Sequence, residues 1–263
     1  FGWGVAGAAI ATVFAKVPCA IIAYIALRNK ENIIHINLKK FKFNKKKIMS
    51  ILQIGFPTAI GGSTMQFGFA LMSRNVLKYG SMAMAAYGIG NRINGLITMP
   101  SNAMGSATAT IVGQNVGANQ MDRAEKAYKL ARKMSVIFLF VGGIILSREV
   151  VARPIVEIFS SDEEVIKMGL DFLKILALYC WTNGIYNTTT ALLQGTGHTL
   201  ITMAVDSTRL WIFRFVTLYV CESILNMGVR SIWYSVVISN AISAFILWII
   251  YLSKIWKKNR VKL

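Results

Sequence analysis

Seven apolar stretches, each long enough to cross a lipid bilayer, constrain the fold of this chain more than any other feature. A helix needs about 20 residues to span roughly 30 Å of hydrocarbon at about 1.5 Å per residue. The chain is 55% hydrophobic and 15% charged, values typical of a polytopic membrane protein. We therefore predict an all-α membrane protein with seven transmembrane helices, at residues 3–27, 48–73, 82–112, 134–158, 167–193, 200–221 and 228–253.

The location of the basic residues decides what the net charge of +18 means. In a soluble protein this charge would indicate a nucleic-acid partner. Here the Lys and Arg residues concentrate after the first, third and last stretches, which share one side of the membrane if the spans alternate. No basic run is interleaved with aromatic residues for base stacking. The pattern predicts a multi-pass plasma-membrane protein in contact with lipids, with a cytoplasmic C-terminus and no nucleic-acid partner.

A long basic segment between the first and second stretches marks a domain boundary. It separates one span from a group of six, as expected for the end of one repeat followed by a second repeat in a two-repeat transporter. The chain begins with Phe1, so we expect a fragment whose partner is the missing N-terminal lobe of the same polypeptide. The predicted parts are the last N-lobe helix at 1–29, a basic cytoplasmic loop at 30–47, a six-helix C-terminal lobe at 48–254 and a basic cytoplasmic tail at 255–263.

Polar side chains recur at helical spacing inside three of the apolar stretches. Uncompensated amides are costly in hydrocarbon, so such faces are expected to look onto protein or a water-filled cavity. Interhelical hydrogen bonding uses the same residue types, and both interpretations stay open. The substrate-cavity candidates are Met65, Gln66 and Phe69 in the second stretch, Tyr87, Asn91, Asn94 and Asn102 in the third, and Asn183, Tyr186 and Asn187 in the fifth.

Charged residues inside the spans need a partner or a function, because they are costly in the membrane. Asp206 and Arg209 lie three apart on one helix face and can compensate each other. Arg92 either extends toward the outer surface or contributes to the rim of a cavity. Further charges lie in the first, fifth and sixth stretches, at Lys16, Lys174 and Arg214.

Metal binding and helix capping give weaker signals. The cysteines are scattered without paired spacing, so no metal site is predicted in the C-terminal lobe. Asn119 with Asp122 predicts a helix that lies along the cytoplasmic surface. Ser161 with Glu164 forms a capping box that predicts the start of the helix entering the fifth span.

The segment from residue 85 to 118 resembles the MATE (multidrug and toxic compound extrusion) family. It contains AAYGIGNRI at 85–93, Pro100, GSATAT at 105–110 and GQNVGA at 113–118. Similar matches occur elsewhere in the chain, with GVAGAAIAT at 4–12, IGFP at 54–57, FSSD at 159–162 and QGTGHT at 194–199. The resemblance implies twelve helices in two lobes, of which this chain would supply helix six and the entire C-terminal lobe.

The resemblance also implies a function. Such a protein is not an enzyme but a secondary active antiporter, which exports bulky, often cationic organic compounds (drugs and xenobiotics) in exchange for Na⁺ or H⁺ by alternating access. It needs no cofactor beyond the coupling ion. A lipid-linked oligosaccharide flippase of related fold is the alternative, although its pyrophosphate would favour more cations in the cavity. A seven-helix receptor or channel is a third possibility that fits the span count.

The coupling ion is expected to bind largely in the missing lobe. Some subgroups of the family carry a Glu and an Asp in the C-terminal lobe, at positions that correspond to Met65 and Asn183, so neither carboxylate is present here. Other subgroups couple through the N-terminal lobe, and Ala8 and Thr12 match the sixth-helix members of that site. A carbonyl and a hydroxyl are suitable oxygen ligands. A packing face of small residues is the competing interpretation of these two positions.

Overall fold

A computed structural model describes residues 4–28 and 44–257, and every regular element within these ranges is helical. The all-α prediction is therefore confirmed for the described residues. Most of the predicted basic loop at 30–47 and most of the predicted tail at 255–263 lie outside them. The chain divides into two compact units, Phe1–Ser50 and Ile51–Leu263.

The first unit contains helix α1 (Gly4–Arg28). Its apolar part, Ala9–Arg28, has a mean hydropathy of 2.1 and is long enough to cross a membrane. None of this part is buried in protein. Its side chains therefore present an apolar surface of the kind that lipid or another protein segment covers.

The second unit is a bundle of helices joined by short turns. Gly80 supports the turn between α2 and α3, because its φ of +99° is a conformation that residues with a Cβ rarely adopt. The helices are α2 (Lys45–Leu77, whose first residues belong to the first unit), α3 (Ser81–Gly117), α4 (Met121–Leu146), α5 (Glu149–Glu157), α6 (Glu163–Tyr179), α7 (Trp181–Gly195), α8 (Thr199–Thr208), α9 (Phe215–Tyr219) and α10 (Arg230–Leu252).

Two segments, one inside the sixth predicted span and one that begins at its end, are wound more widely than an α-helix. Arg209–Arg214 and Val220–Ile224 are π-helical and flank α9, and a short 3₁₀ turn at Ile255–Lys257 follows α10. In a π-helix each backbone N–H bonds to the carbonyl five residues earlier, so side chains are displaced from their α-helical positions. The side chains of this span therefore cannot be placed by α-helical spacing alone.

The fourth predicted span differs from the structure at both ends. Residues 134–158 are not one helix, because α4 and α5 meet at a bend of 82° around Ser147 and Arg148. The separate surface helix predicted after Asn119 is also wrong, since α4 runs without a break from Met121 to Leu146. Asn119 has a φ of +58° and precedes the N-cap residue of α4, whose side chain makes no cap bond.

The cap of α6 is also one residue away from its predicted position. Asp162, rather than Ser161, is the N-cap residue. Its Oδ1 atom accepts hydrogen bonds from the backbone N–H groups of Glu164 and Val165, at 2.9 and 3.3 Å. A carboxylate satisfies the free N–H groups of the first turn and interacts favourably with the positive end of the helix dipole.

Fewer of the described helices pass a test of length and mean hydropathy than the seven apolar stretches of the sequence would suggest. Among the described helices, Ala9–Arg28 and Arg230–Leu252 qualify separately, and α4 with α5 qualifies as a bent pair. Helices α2 and α3 have 33 and 37 residues, so both are long enough, but polar residues lower their hydropathy. The count of seven spans stays a prediction.

The core of the second unit contains a stack of three aromatic rings. The centroids of Phe172 and Trp233 lie 4.3 Å apart, and the ring of Tyr87 lies 5.7 and 6.0 Å from them.

Elsewhere, small residues let the backbones approach closely. A Cβ added to Gly105 on α3 would lie 3.3 Å from the carbonyl oxygen of Asn187 on α7. This approach brings polar side chains of α3 and α7 within hydrogen-bonding reach.

Candidate functional site

Four polar side chains from three helices form a hydrogen-bonded group, which we call the asparagine–serine network (Ser101, Asn102, Ser135 and Asn187). The Nδ2 atom of Asn187 donates to Asn102 Oδ1 at 2.7 Å and to Ser101 Oγ at 3.1 Å. The hydroxyls of Ser101 and Ser135 lie 2.6 Å apart. The two serines are fully buried, Asn187 is half-buried and Asn102 is exposed. The network therefore runs from a packed helix interface to an accessible surface.

The other polar residues of α3 do not share that surface. Tyr87 is 5% exposed and packs in the aromatic stack, so the structure places it in the core and not on an open face. Asn91 donates to the backbone carbonyl of Tyr87 at 2.9 Å, and Thr98 donates to that of Asn94. Asn94 Oδ1 is buried and has no hydrogen-bond partner among the described residues. Helical spacing gave these residues a common direction, but neighbouring helices cover part of the stripe.

A second polar group surrounds Arg209, which begins the first π-helical segment. Its Nη2 atom donates to the sulfur of Met65 at 3.1 Å, and its guanidinium lies 4.3 Å from the centroid of the Tyr186 ring. The Tyr186 hydroxyl donates to Asp206. No Asp206–Arg209 ion pair within 4.0 Å occurs in the described part of the chain. The direct compensation predicted for these two charges is replaced by contacts of both with Tyr186.

Arg214, five residues further on, is 2% exposed and has neutral hydrogen-bond partners. It donates from Nε to Ser239 Oγ and from Nη2 to Asn240 Oδ1, both at 3.1 Å. Its guanidinium lies 5.6 Å from the centroid of the Phe69 ring. Helical spacing in the sequence gave no indication of Ser239 or Asn240 as polar partners. The available signal was the charge of Arg214 within an apolar stretch, which requires polar partners on a neighbouring helix.

The remaining candidates lie apart from these two groups. Gln66 is exposed on α2, and Arg92 is exposed on α3. Asn183 is half-buried and borders a void of about 10 Å³ together with Thr182 and Asn240.

The predicted coupling-ion residues belong to the first unit. Ala8 and Thr12 lie in α1, four residues apart, and Thr12 is exposed. Among residues 4–28 and 44–257, no three His, Cys, Asp or Glu side chains lie close enough together to hold a metal ion.

Curated relatives match almost the whole chain. It is 27% identical over 259 residues to the probable multidrug resistance protein NorM of Thermotoga maritima, a match that covers 98% of this chain and 55% of the relative. It is 22% identical over 262 residues to the probable multidrug resistance protein YoeA of Bacillus subtilis, a match that covers 98% of this chain and 56% of the relative. The chain thus spans about half the length of the curated relatives it matches.

Solved structures share the fold. A multidrug resistance MATE family transporter of the MOP superfamily in an outward-facing conformation superposes with a TM-score of 0.88 at 22% identity, covering 98% of this chain and 58% of the other. The apolar helices and this likeness confirm the prediction of an all-α polytopic membrane protein. The MatE family model matches residues 57–220, more than half of the sequence. The chain therefore belongs to the MATE family.

Proposed function

We propose that this chain is part of a secondary active antiporter, not an enzyme, that exports bulky, often cationic organic compounds in exchange for Na⁺ or H⁺. Membership of the MATE family supports this function, and so do the two relatives, both named as probable multidrug resistance proteins. The observation that carries it is the asparagine–serine network, a hydrogen-bonded polar group within a helical membrane bundle that reaches an exposed side chain at Asn102.

The network suits the binding of chemically varied compounds. Asparagine amides both donate and accept hydrogen bonds, so Asn102 can exchange its contact with Asn187 for one with a ligand. The two buried serines hold Asn187 in place while this exchange occurs. Met65 and Phe69 would add polarizable and aromatic surface on α2, although both also contact arginines.

Coupling is proposed to involve α1 and the part of the transporter that this chain does not contain. Thr12 supplies a hydroxyl and Ala8 a backbone carbonyl, four residues apart on one helix face, as oxygen ligands for Na⁺. Alternating access would then follow from rocking of two lobes around a cavity near the middle of the membrane.

The test is uptake of fluorescent organic cations into inverted vesicles that contain the full-length transporter. We expect accumulation that requires an imposed gradient and stops when that gradient is collapsed, with a protonophore if H⁺ couples and with a sodium ionophore if Na⁺ does. Vesicles with the Thr12→Val variant should accumulate less, while vesicles with Thr110→Val, an exposed threonine on α3, should match the wild type. Absence of gradient-dependent accumulation across a broad panel of compounds would count against export. No relative reported above supports the flippase alternative.

A further inference from the structure

Two buried arginines, Arg209 and Arg214, are the feature of this lobe that the proposed function leaves unexplained. They are 7% and 2% exposed. Each has one guanidinium nitrogen without a hydrogen-bond partner in the described residues, Nε of Arg209 and Nη1 of Arg214. A buried cation with an unused donor is unfavourable, because nothing replaces the water that it has lost.

The backbone turns both guanidinium groups toward the same neighbour. Arg209–Arg214 is π-helical, and i→i+5 hydrogen bonding brings residues five apart close to one face of the helix. An α-helix, at about 100° per residue, would direct them well apart. Consistent with the wider winding, Arg209 contacts Met65 and Arg214 contacts Phe69, which lie one turn apart on α2.

The charges around the pair do not balance. Asp206 accepts a hydrogen bond from the hydroxyl of Tyr186, the tyrosine whose ring faces Arg209. No ion pair of either arginine with an acidic side chain occurs within residues 44–257. The remaining contacts are neutral: Met65 and Phe69 on α2, Tyr186 on α7, and Ser239 and Asn240 on α10. Two cations with one carboxylate leave one positive charge to be compensated.

Two side chains of α2, Met65 and Phe69, lie against the arginines, and an anion can replace their contacts. Met65 and Phe69 are half-buried and lie beside Gln66, which is exposed on α2. Thioether and aromatic faces hold a guanidinium less strongly than an ionised acceptor does. A guanidinium also offers a planar fork of donors that matches the two oxygens of a carboxylate. Movement of α2 away from the arginines would remove these two contacts and leave both guanidinium groups free to bind such a group.

We propose that Arg209 and Arg214 form a binding site for one monovalent anion in this lobe, with a carboxylate as the preferred group. The carboxylate belongs to an anionic or zwitterionic organic compound that is transported, a statement that rests on the proposed function. A free inorganic anion such as chloride is the other source of the same charge. Neither arginine belongs to the asparagine–serine network, which holds no charged residue.

The experiment measures the thermal unfolding midpoint of the purified full-length transporter against benzoate, its neutral isostere benzamide, and chloride, each titrated into the same low-salt buffer without sulfate or phosphate. We expect a saturable rise with benzoate and none with benzamide. A response to chloride that equals the response to benzoate assigns the site to inorganic anions, and a response to benzoate alone assigns it to organic acids. An equal response to benzoate and benzamide, or no response to either anion, overturns the proposal.

Variants connect the response to the arginines. Arg214→Gln should raise the half-saturating benzoate concentration at least tenfold, while Arg92→Gln, which removes an exposed arginine of α3, should leave it unchanged. If Arg214→Gln does not fold, Arg214→Lys keeps the charge without the fork and should weaken benzoate binding several-fold. Wild-type affinity in the folded Arg214 variant overturns the proposal. Because the assay needs no transport, its failure is distinguishable from failure of the export assay.

Discussion

Asn187 joins two helices with a single amide group. Its Nδ2 atom serves Asn102 and Ser101 at once, and Ser101 continues to Ser135 on α4. We expect Asn187→Ala to lower the free energy of unfolding by about 1–3 kcal/mol, because the buried Ser101 hydroxyl loses one of its two partners and a cavity remains. Denaturant unfolding of the purified full-length protein measures this loss.

A second asparagine provides the matched control. The Nδ2 atom of Asn115 donates to the backbone carbonyl of Ile111 in its own helix at 2.7 Å, and among the described residues this side chain bonds to no other helix. Asn115→Ala should therefore cost clearly less than Asn187→Ala. In a double-mutant cycle, Asn102→Ala should couple to Asn187→Ala by about 0.5–3 kcal/mol. Equal losses for the two single variants, or zero coupling, would contradict a structural role of the network.

Tyr79, in the turn between α2 and α3, introduces a pH dependence. Burial, together with a 2.9 Å hydrogen bond to Glu222, raises the pKa of Tyr79 from its ordinary value near 10 to about 12. A raised pKa means that the folded protein holds this proton more tightly than the unfolded chain. The stabilisation is complete below pH 10 and is lost as pH rises toward 12.

Unfolding midpoints between pH 8 and 12 measure this effect. The stability advantage of the wild type over Tyr79→Phe should shrink as the pH rises through that range. Tyr219→Phe, which alters an exposed tyrosine of α9, should keep the pH profile of the wild type. A difference between the wild type and Tyr79→Phe that stays constant with pH would exclude this proton as the cause.

Single residues also set the limit of what the sequence could predict about the site. Spacing placed Asn102 and Asn187 on polar faces, but it gave no pairing, because periodicity describes one helix at a time. Tyr87 fell on the same stripe as Asn102, yet its ring packs with Phe172 and Trp233. Which part of a stripe is covered depends on the neighbouring helices, and no local pattern contains that information.

At the scale of helices, α4 and α6 pack with almost no space between their backbones. A Cβ added to Gly143 would lie well inside van der Waals contact with the carbonyl oxygen of Ala177, whereas one added to Gly142 would meet nothing within 4 Å. We expect Gly143→Ala to destabilise by about 1–3 kcal/mol, because the backbones must separate. Thermal unfolding of the full-length protein measures the effect.

The adjacent glycine is an internal control in the same helix. Gly142→Ala should be neutral or stabilising by up to about 1 kcal/mol, since alanine favours the helix and has open space here. Similar losses in both variants would show that the contact of Gly143 with α6 does not determine the result.

Helix positions followed from hydropathy, but helix breaks did not. The stretch at 134–158 contains Ser147, Arg148 and Glu149 at the break and Arg153 and Glu157 beyond it. An average over a long apolar window hides these residues, although the chain bends by 82° there. The π-helical winding of Arg209–Arg214 was equally invisible, since spacing arguments assume α-helical geometry. Its side-chain directions therefore had to come from the structure.

At the scale of the whole molecule, charge predicts orientation. The basic segments after the first, third and last stretches should be cytoplasmic, and the acidic segment around Glu157, Asp162 and Glu163 should face outward. In a bacterial host, green fluorescent protein fused to the C-terminus of the full-length transporter should fluoresce, while alkaline phosphatase fused there should be inactive. Phosphatase inserted at residue 160 should be active, and the reverse pattern of activities would reject the predicted topology.

The buried pair Arg209 and Arg214 has one more consequence, which concerns the membrane potential. A charge that crosses the full field gains about 2.3 kcal/mol per 100 mV, and a charge that moves part of the way gains a proportional share. The pair and Asp206 together leave one positive charge in the sixth predicted span. Any rocking of this lobe that moves that charge along the membrane normal is therefore biased by voltage, and an anion bound to it would cancel the bias.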